Sequence, residues 1–409
     1  MKKILYIILS TFILIILTFS IYLINTEKPK IKNFRKEIKS VVKKGNLVSH
    51  LVNDYNEVFL PKTQFIDLKF KKINLDFINI GGCYIRTCYP FFLEQHKNNL
   101  IIVDRTGLIK TITFSDLDKK NLKFKEIKNN LNYDNILDTY IDDNEIYIVG
   151  KKKEGDHVNF KIAKGIFDKD QIIFQDLIEL NNKNCIRKSP QVAGKMQLIN
   201  NNPKKILLSI NQAGWADNPS DDNLNSNSIC GKILLIDPNT KDYEVFSSGH
   251  RNIAGLYADD TVIIATEHGP NGGDEINNIK QGENYGWPVV SYGEKYSRNR
   301  SDKEPNYKKN HLKNNYNEPI FSFVPSIGIS EIIKLSNNFS NLWEDNFLIG
   351  SMNKKYLYRV KFNEDYNKII YYEPIYIGDR IRDLIYNSRN KKIILALEFE
   401  GALGILSLE

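Results

Sequence analysis

From about residue 60 onward the chain is written in short β-rich runs, each closed off by Asn, Asp, Gly or Lys, and helical periodicity is scarce. Asn99–Val103, Leu108–Phe114, Glu145–Val149, Lys205–Ile210, Lys232–Asp237, Thr261–Thr266, Phe347–Gly350, Tyr356–Phe362 and Lys392–Leu397 are of strand length and rich in β-branched and aromatic residues. This excludes a helical bundle and favours a sandwich, a barrel or a propeller. Up-and-down groups recurring at intervals of tens of residues are what propeller blades look like. A chain of 409 residues exceeds one ordinary core, yet a single large all-β architecture absorbs that length without splitting.

The beginning of the chain is different. Ile4 to Ile24 carries no charge and, at 1.5 Å per residue, is long enough to cross roughly 30 Å of hydrocarbon. It is expected to be a single membrane-spanning helix. A cleaved signal peptide is the rival reading, since Lys2 and Lys3 form a positive n-region, but no A-x-A-like cleavage site follows. The expected organisation is an anchor over residues 1–25, a basic juxtamembrane linker over 26–60, and a β-rich body over 61–409.

The formal charge of +8 would suit a nucleic-acid binder only if it lay on the body, and it does not. Lys28, Lys30, Lys32, Arg35, Lys36, Lys39, Lys43 and Lys44, against Glu27 and Glu37, give a local +6, and Lys2 and Lys3 supply the rest. Residues 45–409 then sum to zero, so the body carries no basic excess and no nucleic-acid partner is expected. The cationic stretch is either a solvated linker or a contact for anionic headgroups. By charge counting alone it favours a cytoplasmic body. The cysteines argue the other way: Cys83 and Cys88 are close enough for a small loop, and Cys185 and Cys230 flank one segment, as extracytoplasmic disulfides would. Buried free thiols are the alternative. We take the body to be extracytoplasmic.

Two segments, Asn211–Ile229 and Tyr292–Asn317, are polar and turn-rich and read as long surface loops, the places where propellers build sites. The most informative stretch is Gly249 to Tyr292, dense in Gly, Pro, Asn and acids directly after a strand. Turns at Gly269, Pro270, Gly272 and Gly273 expose peptide carbonyls, and Asp274 and Glu275 add carboxylates, the hard oxygens that Ca²⁺ requires. The same composition also makes a plain turn cluster.

The motifs in this region, R-N-x-x-G-L (Arg251 to Leu256), E-H-G-P-x-G-G-D-E (Glu267 to Glu275) and N-Y-G-W-P (Asn284 to Pro288), resemble in order and spacing the glucose/sorbosone dehydrogenases, whose working members use pyrroloquinoline quinone (PQQ). Further similar pieces are G-K-I-L-x-I-D-P (Gly231 to Pro238), V-P-S-I (Val324 to Ile327), W-x-D-N-F-L-I-G-S (Trp343 to Ser351), Y-L-Y-R-V (Tyr356 to Val360) and G-D-R-I-R-D-L (Gly378 to Leu384). The likeness is strong from about residue 185 onward and faint from 60 to 185. It implies a six-bladed β-propeller of four-stranded antiparallel sheets, with PQQ over the channel and Ca²⁺ bridging its acid groups. By motif position Arg251, Asn252, His268, Arg380 and Arg382 would contact the cofactor, and guanidinium forks suit its carboxylates. Asn353 stands where the family has a PQQ-contacting Lys, unless the register shifts by one to Lys354. Gly269 and Pro270 would offer carbonyls to the cofactor's Ca²⁺, while Glu275 and Tyr285 match a second, structural Ca²⁺ position.

The catalytic pair does not carry over. Working members have a His in H-x-G-G-R-L and an orienting Asp in L-G-D-A-G; here the stretches read Q-V-A-G-K-M and I-N-Q-A-G, placing Gln191 and Gln212 at the two positions. An amide has no proton affinity near neutral pH, and general-base catalysis typically contributes 10²–10⁴-fold. Two functions are therefore expected to compete. One is a PQQ-dependent dehydrogenase acting on an aldose or other alcohol through a different base, and the other a non-catalytic propeller binding a carbohydrate or protein at the cell surface.

Overall fold

The computed structural model describes residue 63 and residues 66–78, 90–154, 157–168, 170–180, 194–199, 203–212, 214–215, 218–219, 223–296 and 307–409. The proposed anchor, the basic linker, Cys83, Cys88, Cys185 and Gln191 lie outside them. Among the described residues no helix is long and apolar enough to cross a membrane. All of them belong to one compact unit, Glu57–Cys83 with Thr87–Glu409.

The unit is all-β and propeller-like. Its strands form six four-stranded antiparallel groups, which we call blades; the outer strands of the first two, Lys125–Asn129 and Gln171–Leu180, also pair in parallel and join them in one eight-stranded sheet. Blade 1 is Phe91–His96, Asn99–Asp104, Ile109–Thr113 and Lys125–Asn129, and blade 2 is Asn135–Asp142, Glu145–Glu154, His157–Asp168 and Gln171–Leu180. Blade 3 comprises Met196–Ile199, Lys205–Ile210, Lys232–Ile236 and Tyr243–Ser248, and blade 4 Ile253–Ala258, Ile263–Glu267, Asp274–Asn278 and Phe321–Phe323. Blade 5 is Ile329–Lys334, Phe347–Ser351, Tyr356–Phe362 and Ile369–Tyr376. Blade 6 takes Ile381–Asn387, Lys392–Leu397 and Ala402–Leu408 from the end of the chain and its outer strand, Leu68–Asn74, from near the beginning, with Leu68 opposite Leu408.

Each blade is covered on both faces, which explains why the second strands read as continuous apolar runs rather than alternating ones. KILLSI (Lys205–Ile210) and KIILAL (Lys392–Leu397) are buried at every position but the leading Lys. Six apolar cores fill the junctions between blades 1 and 2, 2 and 3, 3 and 4, 4 and 5, 5 and 6, and 6 and 1, so the ring closes on itself. The outermost strands have one face in water and alternate accordingly, as in Ile369–Tyr376.

Up-and-down connectivity fixes where the loops go. The entry to each innermost strand and the connection from second to third strand must lie on the same face of the ring, because neighbouring strands run antiparallel. The long loop after Ile210 contains a short hairpin, Gly214–Trp215 with Asn218–Pro219. Cys230, at its end, is disulfide-bonded and buried in the core between blades 2 and 3.

Candidate functional site

The strand alternation collects the expected site residues on one face. Arg251, Asn252, Arg380 and Arg382 stand at the entries to the innermost strands of blades 4 and 6. Gln212, His268 to Asp274, and Asn353 lie in second-to-third connections.

Arg251 is fixed on all sides. Its backbone N–H donates to the Glu267 carboxylate, and its carbonyl accepts the Gln212 N–H at 3.0 Å. Its Nη1 donates to the His268 carbonyl at 3.0 Å, and its guanidinium carbon lies 5.4 Å from the centre of the Trp287 ring. Trp287 in turn donates its indole N–H to Gln212 Oε1 at 2.6 Å. Gln212 is therefore bound into the support of Arg251. Glu267 also meets His250 Nδ1 at 3.1 Å, while His250 Nε2 meets Ser247 Oγ at 2.9 Å. This Ser–His–Glu order resembles a nucleophilic triad, but all three are buried, with Ser247 and His250 each 1% exposed, so it acts as an internal brace. Gly249 makes the brace buildable: its φ is +77°, and a Cβ there would sit 2.1 Å from Asn284 Oδ1.

Asn252 Oδ1 and Asn211 Oδ1 are buried acceptors with no hydrogen-bond partner among the described residues. Unmet buried acceptors are costly, and on a loop face they fit a ligand that brings its own donors. On blade 6, Arg380 Nε and Arg382 Nη2 hold Glu398 at 3.1 and 2.7 Å, so two cations share one wholly buried carboxylate. Burial alone would raise the Glu398 pKa; the two guanidiniums outweigh it and hold the group below the ordinary carboxylate range. The pair keeps a surplus positive charge for an anion.

The expected calcium residues separate into two kinds. Among the described residues no donor occupies the Gly269 or Pro270 carbonyl, and the loop is tight, since a Cβ on Gly269 would meet Gly273 O at 2.0 Å. Asp274 is spent elsewhere. Its Oδ2 accepts the N–H groups of Ile327, Gly328 and Ile329 at 3.0, 2.7 and 3.1 Å, and its Oδ1 accepts Gly269 N–H and Ser326 Oγ at 3.1 and 2.9 Å. Five donors saturate its lone pairs, so it clasps blade 4 to the entry of blade 5. Glu275 Oε1 lies 3.6 Å from His311 Nε2, and burial together with Glu267 pushes its pKa well up. Tyr285 uses its hydroxyl on the Asn278 carbonyl (2.5 Å) and the Lys280 N–H (2.9 Å). Among the described residues no three His, Cys, Asp or Glu converge to hold a metal ion. Asn353 and Lys354 are both exposed, and both backbone N–H groups donate to the Ile327 carbonyl at 3.1 Å.

Sequence reasoning missed the charges inside the ring. Lys195, 4% exposed, enters blade 3 and places Nζ 2.6 Å from Asp138 of blade 2 and against Glu331 of blade 5. Asp383 of blade 6 accepts Leu93 N–H of blade 1 at 2.7 Å, and Asp138 accepts Met196 N–H at 2.8 Å. Glu94 of blade 1 belongs to the same field, and burial, followed by Asp383, raises its pKa well above the ordinary range. One ammonium thus serves four carboxylates. The signal was Lys195 itself, which stands where the resembled motif has Arg.

The sequence profile of the family described as glucose/sorbosone dehydrogenase matches residues 92–403, most of the chain. The chain belongs to the glucose/sorbosone dehydrogenase family. An uncharacterized protein of Synechocystis is 34% identical over 162 residues, covering 39% of this chain and 38% of that protein. The aldose sugar dehydrogenase YliI of Escherichia coli is 30% identical over 164 residues, 39% of this chain and 43% of that one. The alignments thus span about two fifths of either relative. Among solved structures, the soluble aldose sugar dehydrogenase of E. coli in its apo form superposes with a TM-score of 0.65 at 16% identity, covering 84% of this chain and all (100%) of that one. The PQQ-bound aldose sugar dehydrogenase of Streptomyces coelicolor gives 0.54 at 16% identity over 83% and 99%. At such identities the likeness is one of fold.

Proposed function

We propose that this protein is a membrane-anchored, PQQ-binding member of the family whose cofactor face is kept and whose sugar-oxidising pair is lost. In this reading Ile4–Ile24 anchors a six-bladed propeller that stands outside the cytoplasm, where the disulfide at Cys230 is at home. The observation that carries the reading is the loop face itself: a braced Arg251, with Arg380 and Arg382 sharing a single counter-charge. PQQ carries carboxylates and a quinone, and when bound it supplies the two-electron acceptor for an alcohol. Arg251, Asn252, His268, Arg380, Arg382 and the exposed Asn353 would hold it. The Gly269 and Pro270 carbonyls would ligate its Ca²⁺, and Glu275 and Tyr285 would mark the second Ca²⁺ position.

Within this chain Gln212 cannot act as a base, because an amide takes up no proton, and its oxygen already accepts the Trp287 indole N–H. That occupation also favours a second reading, a propeller that binds a carbohydrate or protein partner without turning it over. Titrating the full-length protein with PQQ in the presence of Ca²⁺ tests the cofactor half. A saturable change in the quinone absorbance near one equivalent is expected, and an unchanged spectrum of free PQQ would refute it.

A further inference from the structure

We propose that Gln212, at the position the family motif gives to an orienting acid, is in this chain the positioning residue for Arg251. The inference rests on the reading above that Arg251 faces the quinone.

The geometry forms a closed chain of contacts. Gln212 N–H holds the Arg251 carbonyl at 3.0 Å, Gln212 Oε1 holds the Trp287 indole N–H at 2.6 Å, and the Trp287 ring lies 5.4 Å from the Arg251 guanidinium carbon. An indole N–H is a donor only, and Trp287 is 4% exposed, so it must find an acceptor inside the protein. Gln212, itself 9% exposed, supplies that acceptor and thereby fixes the plane of the ring. The ring plane sets where the guanidinium can lie, because a cation on an indole face is confined to the region over the ring. A further guanidinium contact, Nη1 to the His268 carbonyl, fixes the other end. A planar, pre-set guanidinium binds a planar anion without first losing rotamer freedom. Replacing an acid by an amide at 212 thus keeps an acceptor for the indole.

The test uses the full-length protein with Gln212→Met, which keeps length and removes the acceptor, and Gln212→Glu, which restores an acceptor. Two quantities are read: PQQ affinity by absorbance titration with Ca²⁺, and hydrogen exchange of the Trp287 indole proton, resolved among the three tryptophans by NMR and assigned with Trp287→Phe. The expected result is a protected indole proton in the natural protein that loses protection in Gln212→Met and keeps it in Gln212→Glu. PQQ affinity falls roughly tenfold in Gln212→Met and recovers in Gln212→Glu, the scale of one lost hydrogen bond. In a Trp287→Phe background, where no indole N–H needs an acceptor, Gln212→Met has no further effect on affinity; this arm holds even if Gln212→Met alone fails to fold. Affinity unchanged within about twofold by Gln212→Met in the natural background overturns the proposal. An unprotected indole proton in the natural protein, or an equal affinity loss in the Trp287→Phe background, does so as well. Failure of the natural protein to bind PQQ at all, with the indole result as expected, instead removes the cofactor reading on which the proposal stands.

Discussion

Lys195→Met removes the ammonium from a field of four carboxylates contributed by the innermost strands of four blades: Glu94, Asp138, Glu331 and Asp383. Burial, the largest influence, raises Asp138 to about 6 and Asp383 to about 7, against ordinary values of 3.8, and Lys195 opposes both shifts. Burial would lower the Lys195 pKa, but Asp138, Glu331 and Asp383 outweigh it, so the amine stays charged at every working pH. The sign follows from the raised carboxylates. Their favourable contribution is complete below about pH 4 and is lost as the pH climbs through 6 to 7. Those positions already include the opposing pull of Lys195, so in Lys195→Met both acids are pushed up further. At pH 8 the variant leaves buried charges unpaired, which costs about 3–5 kcal/mol and, for a body of this size, lowers Tm by roughly 5–15 °C. At pH 5 Asp138 and Asp383 are largely protonated and the cost falls to about 1–2 kcal/mol. Thermal melts of the full-length protein and the variant, followed by circular dichroism at one scan rate, give both numbers. A Tm loss of equal size at pH 5 and pH 8 would refute the electrostatic argument and assign Lys195 a packing role.

Other expectations follow from the same contacts. Glu398 has a depressed pKa, so its contribution is present above about pH 4.5 and lost as the pH falls; Glu398→Gln should cost about 2–3 kcal/mol at pH 7 and flatten the acid limb of a Tm-against-pH curve. Asp274→Ala strips five donors of their acceptor at the junction of blades 4 and 5 and should cost about 3–5 kcal/mol in a denaturant melt, with Asp274→Asn milder. Gly249→Ala combines a positive φ with a Cβ 2.1 Å from Asn284 Oδ1 and should lower Tm by several degrees, whereas Gly282→Ala, with open space around its Cβ, should cost little beyond its own positive φ.

Legibility in the sequence followed locality. Lys205–Ile210 and Lys392–Leu397 were readable to the residue, because a strand covered on both faces announces itself as a nearly unbroken apolar run, and Tyr356–Phe362 was readable from its aromatic and β-branched residues despite Arg359 and Lys361. His157–Asp168 and Gln171–Leu180 were not, since Lys, Asp and Gln on the solvent side dilute the signal. Leu68–Asn74 could not be placed, because what makes it part of blade 6 is a partner at the other end of the chain. The site shows the same division. Arg251, Asn252, Arg380 and Arg382 were found through contiguous motifs, and strand alternation brings them to one face. Their supports were invisible: Glu398, Trp287 as the ring behind Arg251, and the carboxylates around Lys195 meet only after the ring has closed. Asp274 shows the converse. Its loop composition suggested a cation ligand, but the N–H groups that occupy it belong to Ile327–Ile329, far away in sequence.

The most direct test of the account is turnover by PQQ- and Ca²⁺-loaded protein in a dye-linked assay across several aldoses and alcohols. Measured beside it is the double variant Gln191→His with Gln212→Asp, which restores a base and its orienting carboxylate. The account predicts PQQ binding by both proteins, no measurable oxidation by the natural one, and a gain of roughly 10²-fold or more in the double variant, the contribution of a positioned general base. Turnover by the natural protein at rates typical of enzymes, about 1–10³ s⁻¹, would contradict it.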